Sequence, residues 1–305
     1  MCCLYGIIDC RHALTAKRKN QILSALATAA EERGTDATGI AYNDRGKLCV
    51  YKRPWPAHFM RFRVPEEARV VMGHTRMTTQ GNERRNCNNH PFPGHTKAGA
   101  FALAHNGILY NDKSLRTSLD LPRTRIETDS YIAVQLIERK KALDFSSLKY
   151  MAERVEGSFT FTVLDAQDNL YIVKGDNPLC LYHFPKLGLY LYASTEEILK
   201  KALTAVRMSA KYADRVGLAC GEILRIDTAG AIIRSRFDAS NLLYCRGLPL
   251  RPYSFGGQVS APRSHLDEIK SVAAAFGYTP EAIDRLADQG FSAEELEELL
   301  YYGEV

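Results

Sequence analysis

A cysteine directly after the initiator methionine can become the N-terminus of a chain. Removal of Met1 would leave Cys2 with both a thiol and a free α-amine. An α-amine titrates near ~7.7–8.0 and a free thiol near ~8.5, so the first can take the proton of the second at neutral pH. A nucleophile that carries its own base is suited to opening an amide. Such chemistry also needs oxyanion donors and groups that hold the substrate. Gly73-His74-Thr75-Arg76 ends an apolar segment with a guanidinium, a natural fork for a carboxylate. The bland alternative is a surface arginine. His105-Asn106-Gly107 ends another apolar segment. There, a carboxamide and the next backbone N–H can point at one oxygen, the geometry of an oxyanion hole. The bland alternative is an Asn-Gly hairpin turn. Thr128-Asp129-Ser130 can set a carboxylate beside a substrate ammonium or simply cap a helix.

The elements that would carry these residues follow from periodicity. CLYGII, residues 3–8, is suited to a buried strand. Residues 15–33 read as a helix capped by Thr15, with Ile22, Leu23, Leu26 and Ala30 on one face and Gly34 as its stop. TGIAYN and KLCVYK flank the turn Asp44-Arg45-Gly46 and read as a hairpin. Residues 54–68 are irregular, ARVVMGHTR is a strand, and residues 77–99 form a long polar loop without periodicity. FALAHNGILYN reads as a strand breaking into a turn at Asn106-Gly107. A helix from Thr128-Asp129 to Glu138 and a short one at 147–154 come next. Hairpins occupy 157–193, a helix about 195–205, and GEILRID and AIIRSRF are the last strands. Strand-rich halves with helices between them imply an α+β fold with two mostly antiparallel sheets covered by helices.

The chain has 305 residues, 46% of them apolar and 25% charged, and no apolar run approaches the ~20 residues of a membrane span. CCLYGII is too short for the core of a signal peptide and lacks a basic leader, so the cytoplasm is the expected compartment. Eight cysteines show no zinc spacing and read as free thiols, with neither metal nor cofactor implied. Residues 279–305 carry eight acids and one base, a balance of −7, which leaves +12 on residues 1–278 within the net +5. Basic clusters such as LTAKRKN are short and scattered and read as solvated faces, not a nucleic-acid surface. The expected organisation is a main domain over 2–245, a linker over 246–263 and a small acidic three-helix segment over 264–305. Thr279-Pro280 and Ser292 start helices in that segment, and Gly277 and Gly290 stop them.

Taken together, these residues resemble the class II glutamine amidotransferases, the N-terminal-cysteine branch of the Ntn hydrolases. The resemblance runs from Met1 to about residue 240. Met1-Cys2 with Gly6 is similar to the family's opening, and Arg33-Gly34-Thr35-Asp36-Ala37-Thr38-Gly39 to its Arg-Gly-x-Asp-Ser-x-Gly loop. Gly73-His74-Thr75-Arg76 with Thr79 and Gly81 looks like the glutamine-carboxylate segment. Asn89-His90-Pro91 resembles Asn-x-His-Pro, His105-Asn106-Gly107-Ile108 the oxyanion motif, and Thr128-Asp129-Ser130 the amino-group site. Six short motifs in the right order are hard to obtain by chance.

The resemblance implies a four-layer αββα sandwich. It implies that Cys2 attacks the side-chain amide of L-glutamine and that its α-amine shuttles the proton. Asn106 and Gly107 would hold the oxyanion, Arg76 the α-carboxylate and Asp129 the α-ammonium. Arg33, Thr79, Gln80 and His90 are expected around the substrate. Cys3 stands where the family has Gly, Met77 where it has Trp, Gln80 where it has His, and Ala37 where it has Ser. Only the first residue of a processed chain has a free amine, so Cys2 and not Cys3 is the expected nucleophile. Met77 and Gln80 leave room for a γ-glutamyl amide other than glutamine. No synthase motif follows, and about 65 residues after position 240 are too few for a second catalytic domain. The expected activity is that of a glutaminase subunit supplying ammonia to a separate synthase or ligase, with the acidic helices as its docking element. Self-association into a homo-oligomer is compatible with the sequence. The intact set of candidate residues argues against a non-catalytic scaffold of the same fold.

Overall fold

The computed structural model describes residues 2–240, residue 242 and, near the C-terminus, residues 266, 269, 270, 273, 278–289, 291, 292, 296 and 299. The apolar run after Cys2 forms β1 (Cys3–Asp9), buried along its whole length. α1 (Ala16–Ala29) follows, with Thr15 accepting the Arg18 amide as its cap. A 3-10 turn, Ala30–Arg33, carries the chain to Gly34. β2 (Ala37–Asp44) and β3 (Lys47–Arg53) make the expected hairpin, with Arg45 and Gly46 at positive φ. Then come β4 (Val70–Arg76), β5 (Phe92–Thr96), β6 (Gly99–Leu109) and α2 (Asp112–Ser118). α3 (Tyr131–Lys140) and α4 (Phe145–Ala152) precede β7 (Gly157–Leu164), β8 (Leu170–Lys174), β9 (Cys180–Phe184) and β10 (Leu189–Ala193). α5 (Glu196–Ala205), β11 (Asp214–Val216), β12 (Glu222–Ile226) and β13 (Ile232–Arg236) complete the two sheets.

A seven-stranded sheet runs β11-β9-β10-β1-β4-β2-β3 and a six-stranded sheet runs β13-β12-β8-β7-β6-β5. All their pairings are antiparallel. Strand alternation sorts β1 onto two faces. Cys3, Tyr5 and Ile7 pack with Ile22, Leu23 and Leu26 of α1 and Ile198 and Leu199 of α5. Leu4 and Ile8 face the other way, into a layer shared with Ala102, Ala104, Leu164, Ile172 and Leu224 of the second sheet. The far side of that sheet, with Phe101, Phe159 and Phe161, is covered by Ile132 and Leu136 of α3 and Leu148 and Met151 of α4. Three successive cores therefore separate four layers, αββα, as the resemblance implies.

Four local expectations differ from the structure. The polar loop 77–99 contains β5, an edge strand in which Phe92 and Gly94 are buried and Pro93 and His95 exposed. Glycine fills an inward slot because a Cβ at Gly94 would lie 2.3 Å from the Phe101 ring, and this hides the apolar alternation. Asn106-Gly107 is no turn, since β6 runs through both to Leu109. Neither Thr128 nor Asp129 caps α3: Ser130 occupies the cap position without a side-chain bond, and Asp129 turns toward the end of β6. LTAKRKN is not wholly a solvated face. Lys19 lies one turn before Ile22 and Leu23, on the apolar stripe of α1, and is fully buried.

Burial of Lys19 is compensated. Its Nζ donates to the carbonyls of Glu66 (2.7 Å) and Ala68 (2.5 Å) and lies 3.6 Å from Asp9 Oδ2. Asp9 also accepts the amides of Ala13 and Leu14. Breaking one side of a buried ion pair costs far more than the pair contributes. Lys19→Met is therefore expected to lower unfolding stability by about 3–5 kcal/mol. Adding Asp9→Asn should recover part of the loss, read as the urea midpoint.

Near the C-terminus, α6 (Pro280–Asp288) starts as expected, with Thr279 accepting the Ala282 amide and Pro280 in the first turn. Leu266, Ile269, Lys270, Ala273, Leu296 and Leu299 are helical. Ile269, Ala273, Ile283 and Leu296 share a small core. The linker 246–263 and the stops Gly277 and Gly290 lie outside the described residues. Among the described residues no helix is long and apolar enough to cross a membrane, and no cluster of His, Cys, Asp or Glu could hold a metal ion.

Candidate active site

Cys2 stands at the open end of β1. Antiparallel pairing sets Cys3 opposite Thr75, so Cys2 falls beside Arg76 at the end of β4. The Cys2 thiol donates to the Met77 carbonyl at 3.4 Å, and Arg33 Nε donates to the Cys2 carbonyl at 3.2 Å. Cys2 is half-buried, whereas Cys3 is fully buried in the core beneath α1. Burial raises the Cys2 thiol pKa, while the amino terminus, the Met77 carbonyl and Arg76 pull it down and Asp129 pushes it up.

The second half of the site comes from the other sheet. His74 Nε2 meets the His105 carbonyl at 3.0 Å and ties β4 to β6 across the interior. Two residues on from His74 is Arg76, and one on from His105 is Asn106. The tie thus brings a guanidinium and a carboxamide to the same end of the sandwich. Arg76 is 2% exposed. Its Nη1 donates to Asn89 Oδ1 at 2.7 Å, and its Nη2 to the carbonyls of Gln80 and Gly81. Asn89 is held in turn by Lys52, whose Nζ donates to the Asn89 and Pro91 carbonyls. Asp129 Oδ2 accepts the Leu109 amide at 2.6 Å, and Oδ1 faces Ser130 Oγ at 3.3 Å. Burial raises the Asp129 pKa and these hydrogen bonds oppose it. Arg76 and Asp129 perturb each other electrostatically, and both perturb Cys2.

Asn106 is fully buried, and among the described residues neither its Oδ1 nor its Nδ2 has a hydrogen-bond partner. An unsatisfied buried amide of this kind costs about 1–3 kcal/mol. Gly107 has φ of 141°, and a Cβ there would fall 1.9 Å from the Ser158 carbonyl oxygen. Only glycine fits that position.

Of the expected site residues, Cys2, Arg33, Arg76 and Asp129 are linked by contact or charge, and Asn106 and Gly107 follow the His105 end of the tie between β4 and β6. Gln80 contributes its backbone carbonyl to Arg76, while its side chain turns away to the Glu127 carbonyl at 3.0 Å. Thr79 is exposed on the adjoining turn. His90 is buried in a stack between His74 and Phe92, with ring centroids 4.1 and 4.4 Å away. No hydrogen bond to its ring is present among the described residues. Burial holds His74 and His105 at a pKa of about 3 and His90 well below its ordinary value. Groups that weakly basic make poor proton acceptors near neutral pH. Sequence reasoning gave no role to Lys52, Asn89 or Asn177. Asn89 sits inside a motif that drew attention to its neighbour. Lys52 and Asn177 leave no local trace, because each acts on residues far away in the chain.

Residues 74–201 match the glutamine amidotransferase domain family. That stretch of the chain is thus similar to glutamine amidotransferase domains. Glutamine–fructose-6-phosphate aminotransferase (isomerizing) from Sulfurisphaera tokodaii is 31% identical over 191 residues, 59% of this chain and 31% of that protein. Its counterpart from Streptococcus pyogenes serotype M3 is 28% identical over 190 residues, 59% of this chain and 30% of that protein. The chain thus spans about a third of the length of these curated relatives. The solved glutamine phosphoribosylpyrophosphate amidotransferase from B. subtilis shares the fold. It has a TM-score of 0.62 at 21% identity over 77% of this chain and 49% of that one.

Proposed function

We propose that this chain hydrolyses the side-chain amide of L-glutamine through Cys2 and releases ammonia to a separate synthase or ligase. The observation that carries the reading is the buried Asn106 carboxamide, without a hydrogen-bond partner among the described residues, on the strand tied by His105 to the one that ends in Arg76, while Arg76 and Asp129 both act on Cys2. A positive and a negative group flanking a thiol suit a zwitterionic amino acid with an amide in its side chain.

Once Met1 is removed, the α-amine of Cys2 takes the thiol proton. The buried histidines are too weakly basic to compete. The thiolate attacks the amide carbon, and its C=O electrons move onto oxygen. Asn106 Nδ2 and the Gly107 N–H donate to that oxyanion. The α-ammonium returns its proton to the amide nitrogen, the C–N bond breaks, and ammonia leaves a thioester on Cys2. Water deprotonated by the freed amine attacks the thioester, giving glutamate and the restored thiol. Arg76 takes the α-carboxylate and Asp129 the α-ammonium, while Arg33 fixes the Cys2 backbone. No metal or cofactor enters these steps.

An amidohydrolase acting on another γ-glutamyl amide is the second reading. It is favoured by the outward turn of Gln80 and the exposed Thr79 beside Arg76. Steady-state assays on processed protein, comparing free glutamine with γ-glutamyl peptides, separate the two. Glutamine is expected to give the larger kcat/KM, with one ammonia per glutamate. Amine release from a γ-glutamyl peptide at higher kcat/KM would overturn the first reading.

A further inference from the structure

The oxyanion geometry depends on a residue outside the motifs. Asn177 follows β8 and is 3% exposed. Its Nδ2 donates to the Asn106 carbonyl at 3.1 Å and to Ser158 Oγ at 2.6 Å. Its own backbone is anchored. The N–H reaches the Phe159 carbonyl at 3.4 Å, and the carbonyl accepts Thr160 Oγ1 and Lys174 Nζ, each at 2.6 Å. A Cβ on Gly107 would lie 2.7 Å from the same Asn177 Nδ2. Asn177 is therefore packed directly against the peptide unit joining Asn106 to Gly107.

In a trans peptide, the carbonyl of one residue and the N–H of the next point in opposite directions. Fixing the Asn106 carbonyl toward Asn177 thus aims the Gly107 N–H the other way. On that side of β6 the neighbouring strand has already ended, because β5 pairs only from Gly99 to Leu103. Among the described residues, no strand pairs with β6 on that side of Gly107. We propose that Asn177 is the positioning residue of the oxyanion hole, holding the Asn106–Gly107 peptide so that its N–H and the Asn106 side chain converge on one oxygen. The proposal rests on the amide-hydrolysis reading above and extends it to a residue that touches no substrate.

A positioning role and a merely structural one give different kinetics. Asn177→Ala is expected to lower kcat about 10–100-fold with KM for glutamine changed less than about 2-fold, a range below the full loss of an oxyanion donor. The aldehyde analogue of glutamine, which forms a tetrahedral adduct with a thiol, should lose affinity by the same factor. Inhibition by glutamate and the rate of Cys2 alkylation by iodoacetamide, which need no oxyanion, should stay unchanged. Asn177→Asp keeps the shape but removes the donor, should give the same pattern, and serves if the alanine variant fails to fold. Unchanged aldehyde affinity in both variants, or parallel losses in glutamate binding and alkylation, would overturn the role of Asn177. If wild-type protein bound the aldehyde no better than glutamate, the amide-hydrolysis reading itself would fail.

Discussion

A chain forced to keep its methionine is expected to release ammonia from glutamine at least about 10³-fold more slowly than processed protein. That is the middle of the range for losing a positioned proton-transfer group. Inserting lysine between Met1 and Cys2 blocks methionine removal and leaves the thiol in the sequence. The thiol would still lie beside Arg76 and the Met77 carbonyl, but its partner amine would be buried in a peptide bond. Burial already raises the Cys2 pKa, so without the amine little thiolate is available. His74, His90 and His105 are held neutral and weakly basic and offer no replacement. Cys2→Ala should be inactive, and Cys3→Ala should keep activity, because Cys3 lies in the core on the opposite face of β1. Activity in the blocked chain near the processed level would show that another group serves as the base.

The second large effect concerns charge at the substrate. Arg76→Lys replaces a planar fork with a point charge. It also abandons the Asn89 side chain and the Gln80 and Gly81 carbonyls that the guanidinium now satisfies. A loss of about 10²-fold or more in kcat/KM is expected, equivalent to about 2.7 kcal/mol. Asp129→Asn is milder in shape, since an amide oxygen can still accept the Leu109 N–H. It removes the negative charge and should lower kcat/KM for glutamine about 30–100-fold, the lower end of the range for truncating one partner of a buried charged pair. An analogue lacking the α-amine separates this effect from general damage. Wild-type protein and Asp129→Asn should turn it over at rates within about 3-fold of each other. Equal losses on glutamine and on the amine-free analogue would remove Asp129 from substrate recognition.

Much of the architecture was legible because burial imposes its period on the chain. β1, the β2–β3 hairpin and the stripe of α1 all announce themselves by which residues are apolar. β5 did not, because its inward slots are Phe92 and Gly94, and a glycine required by the Phe101 ring carries no hydrophobic signal. Lys19 was misread for the complementary reason. Its position on the apolar stripe of α1 was visible, but its charge outweighed its spacing until the carbonyls of Glu66 and Ala68 appeared around it.

The site shows the same division. Cys2, Arg76, Asn106 and Asp129 could be named from short motifs, each at the end of an element. The Asn-Gly pair looked equally like a turn. Only the register of β6 against β7, which sets Gly107 opposite Phe159, shows that the strand passes straight through. Asn89, Lys52 and Asn177 hold the site from distant segments, and contacts of that kind have no local signature. They exist only once the two sheets are stacked.

Cys2, freed of Met1, is expected to be the nucleophile of this site. Intact mass of the purified chain is predicted to show loss of one methionine. Incubation with a diazoketone analogue of glutamine is predicted to add one equivalent, mapped by peptide mass to Cys2, with ammonia release falling in step. No adduct on processed protein, or an adduct on Cys3 or Cys87 with Cys2 untouched, would contradict the account.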